Sequence, residues 1–320
     1  MKSQANSQPI YGGANSHLPR NRFAGVYPPI PTPFDDAGAV DEPGLRSNVA
    51  QWMQTPLTGL VVLGSNGEAP QLDDDEADRV IEIVRDGVPR EKPLIAGTGR
   101  ESTKATIAAN SRAAAAGVDA VLVRTPSFFK SQMSAAAFID HYTRVADASP
   151  VPVLLYNVSI YTGVNLHAEA VEHLSRHPNI VGMKESGGDI ALIAEFVSRT
   201  PDDFIVLAGS ATTLFHALCA GCDGAVLALA ALLPDDCVRM CALVRENRVD
   251  EARELQRRLA PLARSVGSSY AVAGLKSALD LIGYRGGPPR PPLMPLSPQA
   301  MEIIRGQLDA VGALAVAQTS

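Results

Sequence analysis

The chain has 320 residues, 46% of them hydrophobic and 19% charged, with 26 glycines and 24 prolines. This composition buries a large core and excludes a disordered, collagen-like or small disulfide-stapled protein. Asp plus Glu outnumber Lys plus Arg by 34 to 28, for a net charge of −6 and a pI near 5.5, so a surface that coats nucleic acid is not expected, because phosphate binding needs clustered positive charge.

In chain order, residues 1–22 are polar, rich in Asn, Ser and Gly, and without apolar period. They read as a loose arm that lacks the apolar stretch of a secretory signal. The basic residues Lys2, Arg20 and Arg22, with no acid before Asp35, faintly suggest a transit peptide, but a disordered tail is the preferred reading. Short apolar runs then alternate with Ala-rich amphipathic stretches. The predicted strands are 25–31 (GVYPPIP), 59–63 (GLVVL), 93–97 (PLIAG), 120–123 (AVLV), 151–156 (VPVLLY), 180–184 (IVGMK), 204–208 (FIVLA) and 224–228 (GAVLA). Most are unbroken rather than alternating, as for parallel strands covered on both faces. Helices are expected over 42–53, 73–86, 102–116, 134–148, 166–176, 189–199 and 212–220, several opening on a cap residue such as Asp73, Ser102 or Ser134.

Eight such alternations predict an α/β fold, a (β/α)8 TIM barrel with a C-terminal helical extension. A doubly wound sheet would want GxGxxG after its first strand, where PIPTPF stands. The length suggests two domains at one per ~150 residues, but such barrels run to ~250 as one unit. The expected division is an arm at 1–22, a barrel at 23–235 and an extension at 236–320 with helices over 234–247, 250–265, 272–282 and 298–314. No apolar run approaches the ~20 residues that span a bilayer, so no membrane association is expected.

The cysteines are Cys219, Cys222, Cys237 and Cys241. Their spacing can be drawn as a zinc site, but the Ala/Gly-rich and apolar context favours small hydrophobes. Reduced thiols without a signal suggest the cytoplasm, and neither metal nor cofactor is expected.

Barrel enzymes place their chemistry where strands end. Strand 2 ends in Gly64-Ser65-Asn66-Gly67-Glu68, strand 4 in Arg124-Thr125-Pro126, strand 5 in Tyr156-Asn157, strand 6 in Lys184-Glu185-Ser186 and strand 7 in Gly209-Ser210. Lys184 follows the apolar run IVGM. It either enters the barrel mouth, where desolvation favours a nucleophilic amine, or leaves for solvent or a pairing with Glu185. Tyr156 is either a proton carrier in the same mouth or a core tyrosine. The 64–68 turn is either a cradle of amide donors for a carboxylate or an ordinary tight turn. Arg124 is either a ligand for a distal carboxylate, a buried ion-pair partner, or outward-facing.

Together these motifs resemble the pyruvate-dependent class I aldolases of the dihydrodipicolinate synthase / N-acetylneuraminate lyase family. GSNGE matches its G-[TS]-x-G-E, Thr125-Pro126 its T-P, Tyr156-Asn157-Val158 with Thr162-Gly163 its Y-N-x-P-x-x-T-G, and Gly182 to Ser186 its G-x-K-[DE]-[ST]. The stretches HYTRVADASPVPVLLY, HPNIVGMKESGGD and GLKSALDLIGYRGGPPRPPL look most like the 4-hydroxy-2-oxoglutarate aldolase branch. The resemblance implies catalytic roles for Lys184 (imine), Tyr156 (acid/base) and Ser65 (relay). Asn66 and its neighbouring amides, including Gly64, would hold the pyruvate carboxylate, and Ser186 and Gly209 would line the pocket. It also implies a homotetramer, a dimer of dimers. The chain departs from the family at Phe128, where a relay tyrosine is usual, at Tyr161, where dihydrodipicolinate synthases carry arginine, and at Ser159, where proline is usual.

The implied reaction is retro-aldol cleavage of a 2-oxo acid to pyruvate and an aldehyde, with 4-hydroxy-2-oxoglutarate as the expected substrate. Rivals are an aldolase or dehydratase of a 2-keto-3-deoxy sugar acid, dihydrodipicolinate synthase, a metal-dependent aldolase, a phosphate-binding isomerase and a non-catalytic 2-oxo-acid sensor. The metal reading would need His and carboxylates at strand ends, whereas the histidines (17, 141, 167, 173, 177 and 216) fall on the arm, the helices or their edges.

Overall fold

The computed structural model describes residues 20–314; the expected arm lies outside them, except for a short turn at Arg20–Phe23. The strands are β1 (Val26–Tyr27), β2 (Leu60–Val62), β3 (Leu94–Gly97), β4 (Ala120–Arg124), β5 (Val153–Asn157), β6 (Ile180–Glu185), β7 (Ile205–Ala208) and β8 (Gly224–Val226). They form one parallel sheet in the order β1-β8-β7-β6-β5-β4-β3-β2. A parallel bridge between Pro29 and Val61 joins its two ends. The (β/α)8 barrel is therefore the fold. The first strand is shorter than the run 25–31 suggests, because Pro28, Pro29 and Pro31 have no N–H to donate to a ladder. Contact with β2 passes instead through Ile30 N to Val61 O at 2.9 Å and Val61 N to Pro28 O at 3.0 Å.

Around the barrel run α1 (Glu42–Met53), α2 (Asp74–Gly87), α3 (Thr103–Ala115), α4 (Ala135–Ala148), the single turn α5 (Ser159–Thr162), α6 (Ala168–Leu174), α7 (Ile190–Arg199) and α8 (Leu214–Cys219). Local chemistry sets their starts. Asp73 and Glu76 form a reciprocal capping box on α2, and the Ser102 and Ser134 hydroxyls accept from Ala105 N and Ala137 N. Side chains on alternate strand positions serve different cores. Val61, Ile95, Leu122, Leu154, Val181 and Leu207 pack with Tyr156 in one cluster inside the barrel. Val62, Ala96, Val123, Leu155, Met183 and Val206 pack with the helices.

The last helices are α9 (Pro234–Arg245), α10 (Val249–Arg264), α11 (Ala271–Leu281) and α12 (Pro298–Ala310). They dock by specific polar contacts as well as apolar ones. Gln256 of α10 accepts from Phe215 N at 2.9 Å and donates to Ala211 O at 3.0 Å and Thr212 O at 3.2 Å, which holds the loop after β7. Trp52 of α1, fully buried, donates to Ala231 O at 3.0 Å and stacks on Tyr284. No helix among the described residues is long and apolar enough to cross a membrane. Cys222, Cys237 and Cys241 are buried, and burial pushes the Cys222 thiol up to about 12 and that of Cys241 up to about 11, the behaviour of small core residues.

The β5–β6 ladder contains an irregularity. Val153 pairs with Ile180, but Leu154 pairs with Gly182, so Val181 is an extra residue on β6. Gly182 allows this, since a Cβ there would lie 2.5 Å from Ile205 O on β7. Gly182→Ala is therefore expected to lower stability by about 1–3 kcal/mol through overpacking, measured by urea unfolding followed by circular dichroism. An unchanged midpoint would show that β7 yields without cost.

Candidate active site

Regular pairing from Val153 onward would set Tyr156 opposite Met183; the extra residue in β6 sets it opposite Lys184 instead. Register decides which side chains share a face, and here two polar side chains meet inside the barrel mouth. Lys184 is 4% exposed and Tyr156 5%. The Lys184 Nζ lies 3.2 Å from the Tyr156 hydroxyl and 4.3 Å from the centre of its ring. Of the two placements open to Lys184, the mouth is the one observed.

Ser65 begins a tight turn, Ser65–Gly67, directly after β2. Its Oγ stands 3.4 Å from the Tyr156 hydroxyl. The turn is entered through Leu63 at φ 55° and left through Glu68 at φ 55°, both in the left-handed region that costs a side-chain-bearing residue of order 1 kcal/mol or more. Burial pushes the Tyr156 phenol up, but the Lys184 charge and the hydrogen bonds from Ser65 and Lys184 outweigh it, so the phenol titrates below its ordinary value.

These groups open into a cavity of roughly 220 Å³. Of the residues singled out from sequence, Lys184, Tyr156, Ser65, Asn66, Ser186 and Gly209 line it together. Gly209 is the residue that fits there, since a Cβ would meet Ser186 Oγ at 2.0 Å. The buried Ser186 hydroxyl lies beside the Lys184–Tyr156 pair, where it adds to the groups that hold the Tyr156 phenol below its ordinary value. Gly64 and Arg124 are not brought into the lining. Gly64 braces the turn by accepting from Gly67 N at 3.0 Å. Arg124 pairs with Glu101 at 2.8 Å, and the other Glu101 oxygen accepts from Ser127 N and Phe128 N, each at 2.8 Å. Arg124 is thus an ion-pair partner, but the pair is partly exposed rather than buried as expected. Phe128 itself is 78% exposed and does not line the cavity.

Ser210, named from sequence at the end of strand 7, stands with its hydroxyl 2.8 Å from that of Thr212. Other lining groups, Thr212 among them, escape sequence reading. Gly267 and Ser268 arrive from a π-helical turn, Ser265–Ser269, between α10 and α11, and nothing in their sequence marks them. Behind the cavity, Asn157 donates to Glu185 Oε2 at 2.5 Å and the other Glu185 oxygen takes Gly187 N, tying together the loops after β5 and β6. Burial pushes the Glu185 carboxyl up against these hydrogen bonds. Among the described residues no group of three or more His, Cys, Asp or Glu is arranged to hold a metal ion. His141 is buried against Thr103 and its imidazole is pushed down to about 4 by burial, and His177 pairs with Asp147.

The arrangement supplies a buried amine, a phenol in contact with it, and a hydroxyl behind the phenol: a nucleophile for a carbonyl carbon with a proton carrier and a route for the proton. Burial pushes Tyr27, Tyr142, Tyr161 and Tyr284 upward, so Tyr156 is expected to ionise ahead of them in an alkaline titration followed by ultraviolet difference absorption. Tyr156→Phe should remove that early phase and Lys184→Met should move it to higher pH. An early phase that survives Tyr156→Phe would contradict the assignment.

Comparison with known proteins identifies the family. The sequence matches the Dihydrodipicolinate synthetase family over residues 22–311. It is 36% identical over 295 residues to a 4-hydroxy-tetrahydrodipicolinate synthase of Methanopyrus kandleri, covering 92% of this chain and 98% of that protein. It is 37% identical over 284 residues to a probable mitochondrial 4-hydroxy-2-oxoglutarate aldolase of Emericella nidulans, covering 86% of this chain and 91% of that one. A prophage protein of the dihydrodipicolinic acid synthase family from E. coli K12, solved in complex with pyruvate, superposes with a TM-score of 0.85 at 28% identity over 91% of this chain and 99% of that one. A match over nearly the whole described chain, joined to a lysine and a tyrosine at the ends of adjacent barrel strands, places this chain in the dihydrodipicolinate synthetase family of pyruvate-dependent lyases.

Proposed function

We propose that the protein is a class I aldolase that cleaves 4-hydroxy-2-oxoglutarate to pyruvate and glyoxylate through an imine on Lys184. The observation that carries this reading is the 3.2 Å contact of the Lys184 Nζ with the Tyr156 hydroxyl inside a closed-in cavity. The free amine of Lys184 adds to the C2 carbonyl, and the carbinolamine hydroxyl leaves as water with the proton of the Tyr156 phenol, so that a protonated imine that accepts electrons stands beside the Tyr156 phenolate. Tyr156 takes the proton from the C4 hydroxyl as the C3–C4 bond breaks, and the bonding pair moves into the C2–C3 enamine. Glyoxylate departs. Protonation at C3 and hydrolysis then release pyruvate and restore the amine. Ser65, 3.4 Å from the phenol, passes protons onward.

For the leaving aldehyde, the chemistry of the lining supports a small acid. Lys184 is the only Lys, Arg, Asp or Glu among the described lining residues, so an arginine grip of the kind the family resemblance assigns to dihydrodipicolinate synthases has no counterpart there. The hydroxyls of Ser186, Ser210 and Thr212 supply donors instead. A second reading, 4-hydroxy-tetrahydrodipicolinate synthase, is favoured by the names of relatives such as that from Methanopyrus kandleri. Hydroxyl donors suit a 2-keto-3-deoxy sugar acid as well. By the family likeness we also infer a cytoplasmic homotetramer, a state that analytical ultracentrifugation measures directly.

Incubation with pyruvate and borohydride should place one reduced adduct on Lys184, located by mass spectrometry, and Lys184→Ala should abolish it. Tyr156→Phe should lower kcat about 10²- to 10⁴-fold. Side-by-side assays should show cleavage of 4-hydroxy-2-oxoglutarate outpacing both 4-hydroxy-tetrahydrodipicolinate formation and sugar-acid cleavage. An adduct without turnover on any of them would support a 2-oxo-acid sensor instead.

A further inference from the structure

Glu68, the last residue of GSNGE, is 1% exposed, and the nearest cation comes from far along the chain. Lys276, in the middle of α11, is fully buried, with its Nζ 2.5 Å from Glu68 Oε1 and 2.9 Å from Pro288 O. The other Glu68 oxygen accepts Arg290 N at 2.8 Å. Phe34, in the loop after β1, is covered by both cations, with Lys276 Nζ 4.3 Å and Arg290 Cζ 4.2 Å from its ring centre. The Arg290 guanidinium in turn makes two 2.7 Å contacts with Glu76 and reaches Gly38 O and Gln71 O. A buried charged pair is a poor source of stability compared with apolar packing, but its directional bonds fix a geometry that apolar groups leave loose.

The geometry so fixed is that of the active-site turn. Glu68 N bonds to Ser65 O at 3.2 Å, and Thr32 Oγ1 clamps Gly67 O at 2.7 Å. The turn therefore sits between Thr32, in the loop after β1, on one side and Lys276 on the other. Ser65 Oγ stands at 3.4 Å from Tyr156, the long end of a hydrogen bond, so a small displacement of the turn breaks the contact. We infer that the Glu68–Lys276 ion pair is a positioning device through which the C-terminal helices hold Ser65 in proton-transfer distance of Tyr156. Neither residue lines the cavity, and neither touches Lys184. The inference rests on the imine reading of Lys184, although it does not depend on which aldehyde is released.

The test separates imine formation from proton transfer. With pyruvate alone in deuterium oxide, imine formation followed by loss of a C3 proton to Tyr156 gives the enamine, the C–H bonding pair becoming its C2–C3 bond. Return of a deuteron from the phenol then labels the methyl group, which proton NMR follows. Borohydride trapping on Lys184 reports the imine step by itself. In Lys276→Met, folded by circular dichroism, trapping should stay within about threefold of wild type while methyl exchange slows at least about tenfold, since misplacement by about 1 Å costs on the order of 10²-fold. Lys276→Arg, which keeps the charge, should recover part of the exchange. Ser65→Ala should slow exchange to a similar degree, and Lys276→Met added to it should cost nothing more. If Lys276→Met does not fold, Glu68→Gln carries the same comparisons. Exchange that is unchanged, that falls in step with trapping, or that falls independently of Ser65→Ala would overturn the inference. Wild-type protein that forms no adduct on Lys184 would instead remove the imine reading itself.

Discussion

The β5–β6 register governs this site. Parallel strands present alternate residues to opposite faces, so a slip of one position would exchange the interior and exterior sets. The extra residue at Val181 performs such a slip between the Val153–Ile180 and Leu154–Gly182 pairs, and everything after it, including the Tyr156–Lys184 pairing, inherits the change. Asn157 and Glu185, each one residue further on, pair on the opposite face and secure the loops that shape the cavity. Reactive groups inside the barrel and their bracing outside it thus come from consecutive residues on the same two strands.

Around this pair the enclosure is assembled from distant parts of the chain. The tail helices supply Gln256 to hold the loop after β7, Ser268 to line the cavity and Lys276 to hold the turn after β2. Strand ends of a barrel are loops, and loops need anchors if their polar groups are to keep fixed positions. Here the anchors are buried side chains on helices that follow the barrel in sequence.

Much of the fold was legible because its causes are local. Hydrophobic runs, caps at Asp73, Ser102 and Ser134, and the repeated alternation of element types do not need tertiary partners to be read. Most of the candidate site was legible through topology, because a barrel brings strand ends to one face whichever residues occupy them. Arg124 shows the limit of that logic: it stands at a strand end like Lys184, yet its partner is Glu101 and its task lies in the loop before Phe128. The lone lysine in the apolar run AVAGLKSALDLI was a visible signal of a buried partner, and its spacing from Glu68 by 208 residues concealed which one.

The amino-acid sequence by itself determined the order of strands and helices, the closure of the sheet into a barrel, and the identities of the amine, phenol and hydroxyl at its mouth. The elements follow from periodicity, capping and the positions where apolar runs stop, whereas the roles of Lys184, Tyr156 and Ser65 follow from the family resemblance of their motifs. Only the tertiary structure decided that β6 holds one residue more than its partner, that Lys184 rather than Arg124 faces the cavity, and that helices at the far end of the chain secure the turn bearing Ser65. Each of those depends on a contact between segments far apart in sequence, where the outcome is set by the space and charge the partner offers, and a local pattern carries no record of either.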